Sequence, residues 1–340
     1  MLFRILHKDH VPDLVRGLAT EYEVIGPVAK EDKFVFAPLA DVSQLRLDYD
    51  TTLLPPKRWF LPNEECLLQF DLVDESVTSE GIVAPPRVLF GLHACDVHAL
   101  QLMDKVFLTG TIDPYYEARR AATVVIGVSC TPDGECFCNA FDADEVHRGF
   151  DMFLTDIGDR YYVSLGSVRG AEILDRYVET RQVSAEDVAE FQRVSRAFLE
   201  SFTLDVDATQ LPVLMDAKYD DPIWDEFGEK CLSCGACSMV CPTCYCFDVV
   251  DRISPDGKSG ERVRTWDSCQ FRDFAAVAHG QNFRGTRASR VRYRYYHKQL
   301  GHLTKYKRVL CVGCGRCARA CPTGITPAAV IGALQKGAVQ

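Results

Sequence analysis

Cys231, Cys234, Cys237 and Cys241-Pro242 follow the pattern Cys-x-x-Cys-x-x-Cys-x-x-x-Cys-Pro, and Cys311, Cys314, Cys317 and Cys321-Pro322 repeat it. Eight thiols so spaced are the ligand set of two 4Fe–4S clusters. Thiolates at i, i+3 and i+6 let one turning loop hold three irons of a cubane, and the fourth cysteine of each run serves the other cluster. Proline after that cysteine biases it toward extended backbone, which projects its thiolate away from its own loop. Gly235, Gly313 and Gly315 let the backbone pass close to inorganic sulfide. The expected sets are therefore Cys231, Cys234, Cys237 and Cys321 for one cluster, and Cys311, Cys314, Cys317 and Cys241 for the other. Structural zinc takes four tetrahedral ligands, usually from two separated pairs, and disulfides belong to oxidising compartments. Neither suits this pattern.

The other eight cysteines divide into groups. Cys95, Cys130, Cys136 and Cys138 are enough for a third 4Fe–4S cluster, with packing as small buried hydrophobes the alternative. Cys244, Cys246 and Cys269 could hold a cluster with an open or non-cysteine ligand, or pack beside the first cluster without ligating it. Cys66 stands alone in an apolar stretch and reads as core. Histidines 93, 98, 279 and 297 could tune or approach clusters, although a lone histidine is more often structural.

The elements that must position these thiols can be read coarsely. The chain has 340 residues, 47% hydrophobic and 25% charged, with room for two domains. Residues 1–205 read as α/β with a mixed or parallel sheet, and residues 206–340 as a ferredoxin-like α+β domain for two clusters. The 70 residues from Cys241 to Cys311 would be an insertion with helical and basic elements. Helical spacing covers 9–22, strand-like runs lie at 22–26, 34–38 and 67–70, and 153–165 resembles a hairpin turning at Ile157-Gly158-Asp159. Strand 87–92, helix 96–106 and strand 122–128 imply a right-handed crossover and a parallel pair. Cys95 and Cys130 then fall at equivalent carboxyl ends, where open α/β sheets place ligands. Ser184 is a candidate N-cap with Asp187 three residues on, for a helix with Val188, Phe191, Val194 and Phe198 on one face.

Composition also excludes classes. Net charge is −10, which argues against nucleic acid as the main partner. Between Arg284 and Arg308 there are nine Lys or Arg and no acid, interleaved with tyrosines. Such a run can bind nucleic acid, dock an acidic partner or surround anionic clusters, and its position just before Cys311 favours the last two. No apolar stretch is long enough to span a membrane and the first residues do not read as a signal peptide, so a cytoplasmic chain is expected. No Gly-x-Gly-x-x-Gly follows a strand, no phosphate loop occurs and no catalytic constellation can be argued. With no substrate site in view, donor and acceptor sites are expected on other chains.

The chain resembles a family of iron–sulfur subunits found in anaerobic sulfite reductases and, as the beta subunit, in the cytoplasmic NAD(P)-linked hydrogenases called sulfhydrogenases. The likeness rests on Leu54-Pro-Pro-Lys57, Phe60-Leu-Pro62 and Glu65, on Ala94-Cys-Asp96 before Asp104-Lys-Val-Phe107, and on Cys136-Phe-Cys138. It continues through residues 231–246, Arg264-Thr-Trp-Asp-Ser-Cys269 and residues 293–298. It implies an electron-transfer protein between a flavoprotein that reacts with NAD(P)H and a terminal catalytic subunit of sulfite reductase, heterodisulfide reductase or hydrogenase type. FAD and NAD(P) would sit on the partner chain. The rival is a stand-alone redox enzyme using a flavin or open-iron cluster on this chain.

Overall fold

The computed structural model describes residues 2–79 and 81–336. Its strands are β1 (Leu2–His7), β2 (Glu23–Lys30), β3 (Lys33–Pro38), β4 (Glu64–Asp71), β5 (Ser76–Thr78), β6 (Arg87–Leu92), β7 (Thr123–Val128), β8 (Met152–Asp156), β9 (Arg160–Leu165), β10 (Phe247–Ile253) and β11 (Ser259–Trp266). The first sheet runs in the order β1-β9-β8-β7-β6-β2-β3. β2, β6, β7 and β8 are parallel, while β3 at one edge and β9 followed by β1 at the other join antiparallel. The sheet is mixed, as the alternation of strand and helix patterns allows.

β6 and β7 are apolar almost throughout and buried at consecutive positions, so both faces of the sheet are covered. Helix α1 (Val11–Leu18) contributes Leu14 and Leu18 to that core. Helix α2 (Ala94–Phe107) adds Val97, Leu100 and Met103, and crosses from β6 toward β7 by way of α3 (Pro114–Ala122). Helix α4 (Val168–Tyr177) adds Ile173 and Leu174. Helix α5 (Ala185–Glu200) opens on a capping box between Ser184 and Asp187. Its Phe191 and Val194 lie on Ile5, Ile157 and Tyr162, whereas Val188 stays exposed.

The remaining helices build a second core around the cysteine runs. They are α6 (Leu211–Ala217), α7 (Ile223–Lys230), α8 (Ala236–Met239), α9 (Arg287–Gln299), α10 (Leu303–Tyr306), α11 (Arg316–Arg319) and α12 (Pro327–Lys336). Met215, Trp224, Phe227, Tyr295 and Ile331 pack there, joined by Phe137 and Phe141 from the loop after β7.

Two expectations need correction. The insertion between the cysteine runs is not simply helical, because it begins with the hairpin β10–β11, which completes an antiparallel sheet β10-β11-β4-β5. β-branched residues Val249, Val250 and Ile253, then a turn at Ser254-Pro255-Asp256-Gly257 with Gly257 at φ 71°, are the local causes. Cys66 is not core but exposed on β4. The pleat that turns Cys66 outward turns its neighbour Glu65 inward, where Arg264 and Arg119 pair with it at 2.5 and 2.6 Å. The buried Arg264 and the half-buried Arg119 thus set the register, rather than apolar alternation.

The two halves are tied by a buried ion pair. Arg316 of α11 grips Asp96 of α2 through two bonds of 2.6 and 2.8 Å and donates to the Thr52 carbonyl at 3.0 Å. Removing one partner of a buried pair strands the other charge, at about 3–5 kcal/mol. Arg316→Met should therefore lower the unfolding free energy read from anaerobic guanidinium denaturation by that order, while Arg316→Met with Asp96→Leu should recover more than half of the loss.

Candidate metal centres

Each cysteine run folds alike. Gly235 and Gly315 take left-handed φ of 75° and 68°, and the chain then enters one helical turn, α8 or α11, carrying Cys237 or Cys317. Cys241-Pro242 and Cys321-Pro322 follow directly, and α8 packs on α11. Two cavities result. Cys231, Cys234, Cys237 and Cys321 line one of about 500 Å³, with Cys317 on its wall. Cys241, Cys311, Cys314 and Cys317 line the other, of about 430 Å³. The fourth cysteine of each run thus stands at the other run's cavity. Among the described residues, no three His, Cys, Asp or Glu side chains converge closely enough for a single metal ion. The thiols stand around a volume instead of pointing at one atom.

The polar surroundings fit an anionic group in these cavities. Arg294 of α9 lines both, is 6% exposed, leaves Nε without a partner and makes one bond, from Nη2 to the Cys237 carbonyl at 3.3 Å. Lys298 is buried at the second cavity and donates to the Thr243 hydroxyl. Lys57 is buried over the Trp266 ring at 4.1 Å and donates to the Cys244 carbonyl at 2.5 Å. Among the described residues none of the three meets a carboxylate. A buried cation without a counter-charge is costly, and thiolates with their cluster would supply one.

The thiols mirror this state. Burial pushes Cys311 up to about 11 and Cys317 up to about 12. For Cys321 burial is outweighed by bonds from Thr323 and the Ile325 amide, and its thiol falls. The Cys244 thiol donates to the Cys241 sulfur, which with Lys298 and Arg294 nearby holds Cys241 well below the ordinary thiol range. Burial lowers Lys57 to about 8.

The second constellation is assembled too. Cys95 lies in the first turn of α2 just after β6, and Cys130 just after β7, at adjacent carboxyl ends of the parallel sheet. Cys138 has the thiols of Cys130 and Cys136 beside it, and Cys95 has that of Cys138. Burial pushes Cys130 up to about 12 and Cys136 up to about 11. Arg319 Nη2 stands 3.6 Å from the Cys136 sulfur and pairs with Asp133. The loop of the second run is pressed onto this site. The Phe137 amide donates to the Gly313 carbonyl at 2.9 Å, and a Cβ at Gly313 would meet the Phe137 oxygen at 2.3 Å. A Cβ at Gly315 would meet the Glu135 oxygen at 2.5 Å. The Cys314 thiol is correspondingly near both Cys95 and Cys138.

Cys244 and Cys269 are buried, and the Cys246 thiol donates to the Cys269 sulfur at the base of the hairpin, where the Asp267 amide donates to the Cys246 carbonyl at 3.0 Å. His98 bonds the Glu145 carbonyl at 2.6 Å, His93 stacks on Tyr49 at 4.0 Å, and His279 is exposed.

A 4Fe-4S dicluster domain model matches residues 230–325, the stretch holding both cysteine runs. Over 335 residues, 98% of each chain, the sequence is 34% identical to the sulfhydrogenase 2 beta subunit of Pyrococcus furiosus. The chain belongs to the sulfhydrogenase beta subunit family. It is an iron–sulfur electron-transfer subunit of an oxidoreductase. No solved structure matches it. Among its described residues no helix is long and apolar enough to cross a membrane.

The sequence pattern does not by itself single out individual basic residues. Arg290, Arg294 and Lys298 recur every four residues, the spacing of one helix face, and all three are buried. The basic run is thus partly an inward lining. Lys57 and Asp96 enter the sequence reading only within Leu54-Pro-Pro-Lys57 and Ala94-Cys-Asp96, and no local periodicity marks them or Arg316 as buried charges. Because Arg294 borders both cavities, Arg294→Gln should lower the reduction potentials of the centres at both, each by a tenfold change in oxidised-to-reduced ratio, about 59 mV for one electron. Arg294→Lys should retain most of the potential, and electron resonance during a redox titration reads both.

Proposed function

We propose that this chain is a relay holding three 4Fe–4S clusters, on Cys231, Cys234, Cys237 and Cys321, on Cys241, Cys311, Cys314 and Cys317, and on Cys95, Cys130, Cys136 and Cys138. It would work in the cytoplasm between a flavoprotein subunit that reacts with NAD(P)H and a terminal subunit of hydrogenase, sulfite reductase or heterodisulfide reductase type. Bound there, the clusters would supply reversible one-electron transfer. The observation that carries the reading is contiguity. Cys317 and Arg294 wall both cavities, and loop 313–315 lies directly on residues 135–138. The three thiol sets therefore adjoin in series.

The chain's own residues have definite tasks in this reading. The cysteines bind, and the glycines admit close backbone approach. Arg294 and Lys298 offset thiolate charge, while Tyr295 and Phe137 exclude water from the cavities they line. The sulfhydrogenase relative is named as one subunit of its enzyme, which supports partners for this chain.

Anaerobic iron and acid-labile sulfide analysis should give about twelve irons per chain. Cys136→Ser with Cys138→Ser should give about eight, with the electron resonance of the other centres retained and far-ultraviolet circular dichroism unchanged. About eight irons in the unaltered chain would confine the relay to the ferredoxin-type runs.

A further inference from the structure

A relay must meet its neighbours where a centre comes close to the surface. Of the twelve cysteines in the three sets, Cys234 alone is exposed. The surface around it is unusual. Leu232 is 60% exposed and Phe283 is 79% exposed, the latter among the most open large apolar side chains described. Phe271 is 36% exposed and covers Gly235, where a Cβ would meet its ring at 2.5 Å.

These residues come from separate segments fixed against one another. Arg287 donates to the Cys231 carbonyl at 3.0 Å. Arg290 donates to the Ser233 hydroxyl and to the Arg284 and Gly285 carbonyls, each at 3.0 Å, so the segment bearing Phe283 is held to the Cys234 loop by one guanidinium. Asn282 reaches back to the Arg272 carbonyl at 2.6 Å and closes residues 272–282 into a compact loop. The segments that bear these exposed apolar side chains are thus held against one another by hydrogen bonds, and apolar surface held open to water is what a protein contact covers.

Charge narrows the partner. The whole chain is at −10, yet the segment 270–287 carries Arg272, Arg284 and Arg287 against Asp273 alone. A cationic rim on an otherwise acidic molecule steers an acidic face onto the patch and speeds encounter.

The geometry points to Leu232, Phe271 and Phe283, rimmed by Arg272 and Arg287, as the docking surface for a redox partner subunit whose own contact face is apolar at its centre and acidic at its edge. The electron port is then the Cys231, Cys234, Cys237 and Cys321 site. This rests on the relay reading above.

The test uses the chain made in its own host with its native partner subunits. p-Benzoylphenylalanine replaces Phe283, or, as a control, the exposed Val168 at the start of α4. Photolysis should join position 283, and not 168, to an Asp- or Glu-rich peptide of a copurifying subunit that carries its own flavin or metal centre. An adduct at 283 with a second copy of this chain, or none at 283, overturns the assignment. In the intact complex, Leu232→Glu with Phe283→Glu should slow reduction of this chain by its partner at least tenfold, with dithionite still giving the full reduced electron-resonance signal. An unchanged partner rate overturns the docking surface alone. Absence of any dithionite-reduced signal from the unaltered chain removes the relay reading, and the port with it.

Discussion

Buried positive charge sets the electrostatic problem that the carboxyl-terminal part of the molecule has to solve. Lys57, Arg294 and Lys298 lie in the interior and donate to carbonyl and hydroxyl oxygens and, for Lys298, to the Cys241 sulfur, with no carboxylate partner among the described residues. Charge so placed is stable only opposite other charge. The cysteines around them have the complementary difficulty, because burial disfavours their thiolates. Each group is unfavourable alone and both are favourable together, which is the condition a thiolate-held iron–sulfur group meets. It also explains why the cations come from distant places in the chain. Arg294 and Lys298 ride on α9 between the two cysteine runs, whereas Lys57 arrives from the turn before β4 and reaches the carbonyl of Cys244.

The parallel sheet solves a second problem, that of bringing one more thiol set to the same place. Its carboxyl edge is where open α/β sheets leave a crevice. Here Cys95 and Cys130 occupy that edge, and the crevice is covered by the chain's own second cysteine loop. Such cover demands very close backbone approach, which is why positions 313 and 315 have no room for a side chain. The buried Arg316–Asp96 pair then fixes the depth of the loop. The same short helix α11 thus presents Cys317 to the cavities and Arg316 to Asp96 on α2, so cavity geometry and the packing of α11 against α2 cannot vary independently.

Much of this is legible in the sequence because it is local. The cysteine spacing, the strand–helix–strand pattern around Cys95 and the Ser184 capping box each depend on residues within a turn or two. The hairpin β10–β11 is harder to see although Ser254-Pro255-Asp256-Gly257 announces a turn, because the basic helix after it dominates the composition of the insertion. Cys66 misleads for a deeper reason. Apolar alternation predicts which face of a strand is buried only when apolar contact decides register. In β4 the decision belongs to Glu65, and its guanidinium partners Arg119 and Arg264 lie 54 and 199 residues away. Pairings of that range leave no mark on local pattern.

The thiol sets also differ in how they face solvent, and this orders them. Cys95 and Cys138 are buried at the sheet edge, Cys241 is buried and Cys311, Cys314 and Cys317 partly so, and Cys234 is open. Removal from water strengthens every charge interaction at the inner sites, so the buried Arg294 and Lys298 act there at short range with little screening. At the outer site water screens charge, and apolar contact becomes the stronger means of attachment. Buried cations inside and exposed aromatic and aliphatic side chains outside are therefore two answers to the same gradient in solvent access along one line of cysteines.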